Sequence, residues 1–303
     1  MTSPPPHVRL PEGAGSGIPA ADLGETRVGP ATFRWGTRTF VMGIVNVTPD
    51  SFSGDGLLAG AGEPAAGDPV VDALEQARRM AAEGADILDV GGESTRPGAP
   101  TVPESKERDR VVPVIRAIRA ALPDMPISID TTKPAVAEAA LDAGADLLND
   151  IRGTGSTFSI ARLAAERAVP LVIMHNRAEA RYLNVVAELI ADLQRAVERA
   201  VAAGVPWERL IVDPGIGFGK TPEQNLAVLH DLAALRVLRR PILLGTSRKS
   251  TIGIVLGLPV NERMEGTLAT TALGIASGVD IVRVHDVEPN VRAARMADAV
   301  VRR

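Results

Sequence analysis

Eight times between residues 40 and 286, a short apolar run, often rich in β-branched side chains, precedes a longer stretch with helical spacing. The runs are FVMGIVNV (40–47), ADILDVGG (85–92), PISID (126–130), DLLND (146–150), PLVIMH (170–175), RLIVDPG (209–215), PILLGTS (241–247) and DIVRVHD (280–286). The spacing predicts helices over 68–83, 104–121, 134–143, 158–167, 186–203, 222–235 and 262–277, with 289–301 closing the chain. Pro134 and Pro222 stand where helices should start, and Gly84, Gly144, Gly204 and Gly278 where they should end. Eight strand–helix units in about 260 residues match a (β/α)8 TIM barrel in number, order and length. A doubly wound open sheet would carry a phosphate-binding glycine turn after its first strand. Here that strand runs into Asn46-Val47-Thr48-Pro49, so the barrel is expected.

Ahead of the barrel, residues 1–28 lack periodicity, are rich in Pro, Gly and Ala over their first 22 positions, and read as a flexible tail. Ordered structure is expected from about residue 29, with ATFRWGTRT (31–39) forming a β-hairpin around Trp35-Gly36 and the barrel domain filling 29–303. The chain has no cysteine, which excludes disulfides, thiolate-bound metals and a thiol nucleophile. A net charge of −4 and an aromatic content of 3% argue against nucleic acid as a partner. No apolar run is long enough to span a membrane, and the first residues do not resemble a signal peptide. A soluble cytoplasmic protein is the expectation. The excess of Arg over Lys, 29 against four, reads as composition bias.

Barrel enzymes carry their reactive groups where strands end. Those positions hold Asn46, Asp89 with Glu93, Asp130, Asn149 with Asp150, His175, Asp213, Ser247-Arg248-Lys249, and Arg283 with His285. One such residue is as easily a helix cap as a ligand contact. Eight polar strand ends around one mouth are a functional site. Asp130, Asn149, Asp213 and Lys249 combine acceptors, an amide and a cation, which suits a ligand edge rich in N–H donors, such as an aminopyrimidine. Arg283, His285 and Asn46 flank the junction of the last and first strands and suit a phosphate or diphosphate. A Mg2+ ion could bridge such a ligand to Asn46, with Asp50 nearby. The glycine-rich loop 215–220 offers Phe218 as a stacking wall. It ends Gly219-Lys220-Thr221 like a nucleotide P-loop, but Pro214 replaces the required first glycine, so ATP binding is not expected. His175 is read as packing or as a supporting residue, and Ser247 as a weak candidate nucleophile.

The motifs NVTPDSFS (46–53), GGESTRPG (91–98), SIDT (128–131), LLNDIRG (147–153), DPGIGFGKT (213–221), GTSRKS (245–250) and RVHDV (283–287) resemble the dihydropteroate synthase family in order and spacing, over about residues 40 to 300. The resemblance implies a homodimeric, Mg2+-using transferase of folate biosynthesis. Its reaction would join 6-hydroxymethyl-7,8-dihydropterin diphosphate to p-aminobenzoate, giving 7,8-dihydropteroate and pyrophosphate by an SN1-like displacement. It implies that Asp130, Asn149, Asp213 and Lys249 hold the pterin with Met174 and Phe218 near its ring. Asn46, Arg283 and His285 would hold the diphosphate, with Asn46 also the metal contact. Phe52, Thr95, Arg96, Pro97 and Ser250 would form the p-aminobenzoate side. Asp130, Lys249, Arg283 and His285 would be the catalytic set.

Two stretches depart from the family pattern. SFSGDG stands where SFSDGG is expected, so Gly54 replaces an acid and Asp55 is displaced by one; the fifth-strand exit reads MHNRAEARY. The rival readings are a non-catalytic pterin-binding paralogue, a pterin-dependent methyltransferase and an unrelated phosphate-binding barrel. The first predicts loss of GESTRPG or SRKS, and both are intact. The second works with a corrinoid partner and should lack the p-aminobenzoate loops. The third has no use for so many carboxylates and carboxamides.

Overall fold

A computed structural model describes residues 23–47, 68–94, 101–153 and 158–302. The eight apolar runs form one parallel sheet: β3 (Phe40–Asn46), β4 (Ile87–Gly91), β5 (Ile127–Asp130), β6 (Leu147–Asp150), β7 (Leu171–Met174), β8 (Leu210–Asp213), β9 (Leu243–Leu244) and β10 (Ile281–Val284). Neighbours run in the order β8-β7-β6-β5-β4-β3-β10-β9. A parallel bridge between Val212 and Ile242, with the Val212 N–H on the Pro241 carbonyl at 2.9 Å, joins β8 to β9 and closes the barrel. Closure pairs the backbone groups that edge strands would otherwise leave open.

Helices α1 (Pro69–Ala82), α2 (Glu104–Ala121), α3 (Pro134–Ala143), α4 (Ser159–Glu166), α5 (Val185–Ala202), α6 (Pro222–His230), α7 (Ser250–Leu256), α8 (Met264–Ala276) and α9 (Val287–Val301) follow the strands in turn. Pro134 and Pro222 are first helical residues, and Gly84, Gly144, Gly204 and Gly278 all have positive φ, between 96° and 113°. The strands are buried on both faces, as expected of parallel sheets covered by helices. One face packs Val41, Val45, Leu88, Val90, Ile129, Leu148 and Ile173 against the helices. The other sends Phe40, Met42, Ile87, Leu147, Val172, Ile211, Leu243 and Ile281 into the lower barrel.

That lower layer is sealed by an antiparallel hairpin, β1 (Glu25–Val28) and β2 (Ala31–Arg34). The hairpin exists, but its expected position needs correction. It turns at Gly29-Pro30, one strand earlier than Trp35-Gly36, so residues 25–28 are strand and not tail. The reason is burial. Trp35 packs at 5.6 Å from Phe40 and Phe33 at 4.6 Å from the same ring, so Trp35 plugs the barrel where a turn would expose it. Its indole N–H donates to Thr26 Oγ1 at 2.9 Å, satisfying the one polar group it buries.

Two further differences are local. The helix expected over 222–235 stops at His230, and Leu232–Leu238 form a 3-10 helix whose Leu232, Leu235 and Leu238 are buried. A spacing of three matches three residues per turn, so the apolar pattern itself favours the tighter helix. The strand within 241–247 shortens to Leu243–Leu244 because Arg248 adopts a left-handed φ of 57° that turns the chain into α7. Helix α7 was not expected, since Ile254, Val255 and Leu256 face outward and leave no buried periodicity to read.

Candidate active site

Strand alternation selects which polar residues enter the mouth. In β4 and β5, Asp89 and Ser128 are register partners; one step further, Asp130 pairs in register with Asn149 of β6. Met174 and Asp213 stand side by side at the ends of β7 and β8. The same alternation excludes Asp150. It adjoins Asn149 in sequence, so it points outward, where Oδ1 accepts the Arg152 N–H at 2.9 Å.

The floor is a hydrogen-bonded cluster. Arg283, from β10, crosses the barrel to donate through Nε to Asp89 Oδ2 at 2.5 Å and through Nη2 to Asp130 Oδ2 at 2.8 Å. Asn149 Nδ2 donates to the same Asp89 oxygen at 3.1 Å. One guanidinium therefore serves two buried carboxylates, and with both ionised the group carries one negative charge in surplus. Burial raises Asp130 to about 7 against the pull of Arg283, with Asp89 adding to the rise. Burial also works against the Arg283 charge, but Asp89 and Asp130 outweigh it and hold the guanidinium above its ordinary value. Arg283, expected in the anion set, thus stands in contact with Asp130 of the expected pterin set, because its side chain is long enough to reach across.

Four buried side-chain atoms lack a hydrogen-bond partner among the described residues: Asp89 Oδ1, Ser128 Oγ, Asp130 Oδ1 and Asn149 Oδ1. All four lie in this one cluster. Buried polar atoms are rarely left unpaired, since each costs about 1–3 kcal/mol. With the carboxyls ionised, three of the four can only accept, so a group that fits them is rich in donors.

On the β8 side, Asp213 is buried and its carboxyl is pushed up by burial, with Lys249 pulling it back down. Lys249 caps α7 at its N-terminus; burial lowers its ammonium to about 8, opposed by Asp213. The ammonium donates to the Ile216 carbonyl and lies 4.7 Å from the Phe218 ring centre. Phe218 thus lies against the ammonium, and Met174, beside Asp213 in register, is buried. Gly215 has φ of 64°, and a Cβ there would fall 2.0 Å from the His175 carbonyl, so no other residue lets the loop pass so close.

Toward β10, His285 Nδ1 and Ser247 Oγ are 2.9 Å apart, and Ser247 Oγ also accepts the His285 N–H at 3.1 Å. Ser247 orients the imidazole, which is a structural use of the hydroxyl. Between Ser247 and Lys249, Arg248 turns outward onto Asp286 through Nε at 3.0 Å and Nη2 at 2.7 Å. The left-handed Arg248 backbone is thus held from outside while its two neighbours face the mouth. Asn46 ends β3, half-buried, with Oδ1 3.8 Å from where a Gly91 Cβ would stand. Ser250 is exposed at the first turn of α7. Thr95, Arg96 and Pro97, with Asp50, Phe52, Gly54 and Asp55, lie outside the described residues.

Comparison with known proteins returns one answer. A model of the pterin binding enzyme family matches residues 42–285. Dihydropteroate synthase from Clostridium beijerinckii is 49% identical over 278 residues, covering 91% of this chain and 100% of that one. The Bacillus subtilis enzyme of the same name is 48% identical, covering 90% and 92%. The chain belongs to the dihydropteroate synthase family.

Solved dihydropteroate synthase structures carry the likeness into the fold. The enzyme from Clostridium difficile, determined in the presence of pteroic acid, superposes with a TM-score of 0.84 at 46% identity, covering 89% of this chain and 100% of that one. The one from Xanthomonas albilineans with 4-aminobenzoic acid gives 0.80 at 41% identity, covering 88% and 94%. Family membership makes the chain a transferase of folate biosynthesis. The same membership makes it a pterin-binding enzyme.

The sequence reading missed two contributors. Ser128 looked like ordinary strand filling between apolar neighbours; only the register with Asp89 reveals it. Lys220 was set aside with the P-loop reading, yet it sits under the Gly215–Phe218 loop.

Proposed function

We propose that this mouth joins 6-hydroxymethyl-7,8-dihydropterin diphosphate to p-aminobenzoate, releasing pyrophosphate. The observation that carries the reading is the cluster of four unpartnered buried atoms on the floor. An aminopyrimidine edge presents several N–H donors to such a set, and Asp213 adds a further carboxylate beside it. In the reaction the bond between the pterin methylene carbon and the diphosphate oxygen breaks, and the aniline nitrogen then bonds to that carbon and loses a proton. The departure is SN1-like: a cation develops on the pterin ring system, and the surplus negative charge of the Asp89–Asp130–Arg283 group favours it. Lys249 stacks on Phe218 and holds the ring's oxygen-bearing side. His285, aligned by Ser247, and Asn46 flank the departing diphosphate, and Arg283 links its charge to the floor. Asp130, Lys249, Arg283 and His285 are the groups that act. The second substrate's site is assigned to Thr95, Arg96 and Pro97 with Ser250, a reading supported by the GESTRPG and SRKS motifs.

The donor set bears on Mg2+ as well. Among the described residues no three His, Cys, Asp or Glu side chains cluster as a metal cage. One amide oxygen at Asn46 fits a hard cation that arrives on the diphosphate and keeps most of its coordination from phosphate and water. Bound there, Mg2+ would neutralise leaving-group charge.

The protein is proposed to act in the cytoplasm and as a homodimer; the apolar side chains exposed on α7, α8 and α9 support the dimer. The enzymatic test is pyrophosphate release from dihydropterin diphosphate, with and without p-aminobenzoate and Mg2+. Release that needs all three and is inhibited by a sulfonamide supports the proposal. Tight pterin binding without release would defeat it and favour the non-catalytic paralogue.

A further inference from the structure

Three of the chain's four lysines, Lys133, Lys220 and Lys249, stand at the exits of barrel strands, in a protein that otherwise uses arginine for positive charge. An ammonium directs three donors tetrahedrally, toward acceptors that need not share a plane, whereas the five donors of a guanidinium are coplanar. Lys220 uses its donors in this way. Nζ lies 2.9 Å from the Gly215 carbonyl, 3.1 Å from the Phe218 carbonyl and 2.9 Å from His175 Nδ1.

Each acceptor leads to the site or to the scaffold. The Gly215 N–H donates to Asp213 Oδ1 at 2.7 Å, so the residue that Lys220 holds through its carbonyl holds the Asp213 carboxylate through its N–H. Phe218 is the wall against Lys249. His175 is fully buried, and burial, with Lys220 adding, lowers it to about 4. A neutral ring with Nδ1 accepting from Lys220 Nζ carries its proton on Nε2, which faces Asp192 Oδ2 of α5 at 3.2 Å. Asp192 is fixed in turn by Arg177 Nε at 2.7 Å. The loop needs such an anchor, because Gly215, Gly217 and Gly219 all have positive φ and contribute no side chains to hold it.

We propose that Lys220 is a positioning residue for the pterin: anchored on α5 through His175 and Asp192, it fixes the Gly215–Phe218 segment and hence the Asp213 carboxylate and the Phe218 wall. The inference rests on the reading of the mouth as a pterin site. Its test is steady-state kinetics of Lys220→Met, His175→Leu and His175→Asn beside the unaltered protein. Lys220→Met should raise KM for dihydropterin diphosphate about tenfold or more, with KM for p-aminobenzoate within about twofold. His175→Leu should move the same constant in the same direction. His175→Asn, which keeps an acceptor near the place of Nδ1, should recover most of the loss. A variant with both KM values unchanged and only a lower melting temperature would overturn the proposal, as would an equal rise in both. Should Lys220→Met fail to fold, the histidine pair decides: equal pterin KM in the two variants overturns it. Absence of pyrophosphate release from the unaltered protein would instead overturn the underlying reading.

Discussion

Asp130 and Asp89 share one guanidinium, and that ratio sets what single substitutions at the floor should do. A carboxyl raised to about 7 prefers its proton in the folded protein more than in the unfolded chain, where it titrates near the ordinary value of about 4. Its contribution to stability is therefore complete below about pH 4 and lost as pH rises through about 7. Asp130→Asn removes that loss while Arg283 keeps Asp89. The variant should melt a few degrees higher than the unaltered protein at pH 8, with the gain gone at pH 4, as read by thermal unfolding at both pH values. The same change should raise KM for the pterin substrate and lower kcat, about tenfold or more each. Equal melting temperatures at pH 8 would contradict the electrostatic assignment. At this scale the sequence was most legible where alternation and strand ends coincide, as at Asp130, Asn149 and Asp213. It was least legible for Ser128 and Lys220, whose roles depend on register and on a loop folding back.

At the scale of elements, the hairpin β1–β2 closes the end of the barrel opposite the chemistry. Phe33 and Trp35 complete the layer formed by Phe40, Met42 and their neighbours, while the polar cluster begins one inward step higher, at Asp89 and Ser128. Trp35→Ala should destabilise the protein by about 3–5 kcal/mol, seen in denaturant unfolding. Both substrate KM values should stay unchanged in the fraction that remains folded. A kinetic defect without loss of stability would mean that the floor and the plug are not separate layers. The helices were readable from their apolar periodicity, with Pro134 and Gly144 also marking the limits of α3, while α2 was bounded by periodicity alone. Helix α7 escaped because three of its four large apolar side chains, Ile254, Val255 and Leu256, are exposed, and the hairpin register slipped because Trp35-Gly36 has the composition of a turn but the burial of a core.

For the whole molecule, the count of eight strand–helix units was enough to specify the barrel, since a closed parallel sheet of that number leaves few alternatives. Motif order then placed the function on it. What sequence could not give is the wiring across the barrel, in which Arg283 reaches carboxylates on strands far away in the chain. Quaternary structure is the remaining expectation at this scale. Ile254, Leu273, Met296 and Val300 are between 54% and 68% exposed on α7, α8 and α9, an apolar display that a partner copy would cover. Light scattering should give the mass of a dimer, and Leu273→Glu should shift it toward monomer. A monomer in the unaltered protein would contradict the proposed assembly.

The central claim is that the unpartnered atoms of the floor await the donor edge of a pterin. A crystal structure with 6-hydroxymethylpterin bound tests it most directly. The account predicts the ring between Phe218 and Met174, with its amino and ring N–H groups on the carboxylates and amide of Asp130, Asn149 and Asp213, and the unmet acceptors filled. A pterin bound elsewhere, or bound in the mouth with those atoms still unpaired, would contradict it.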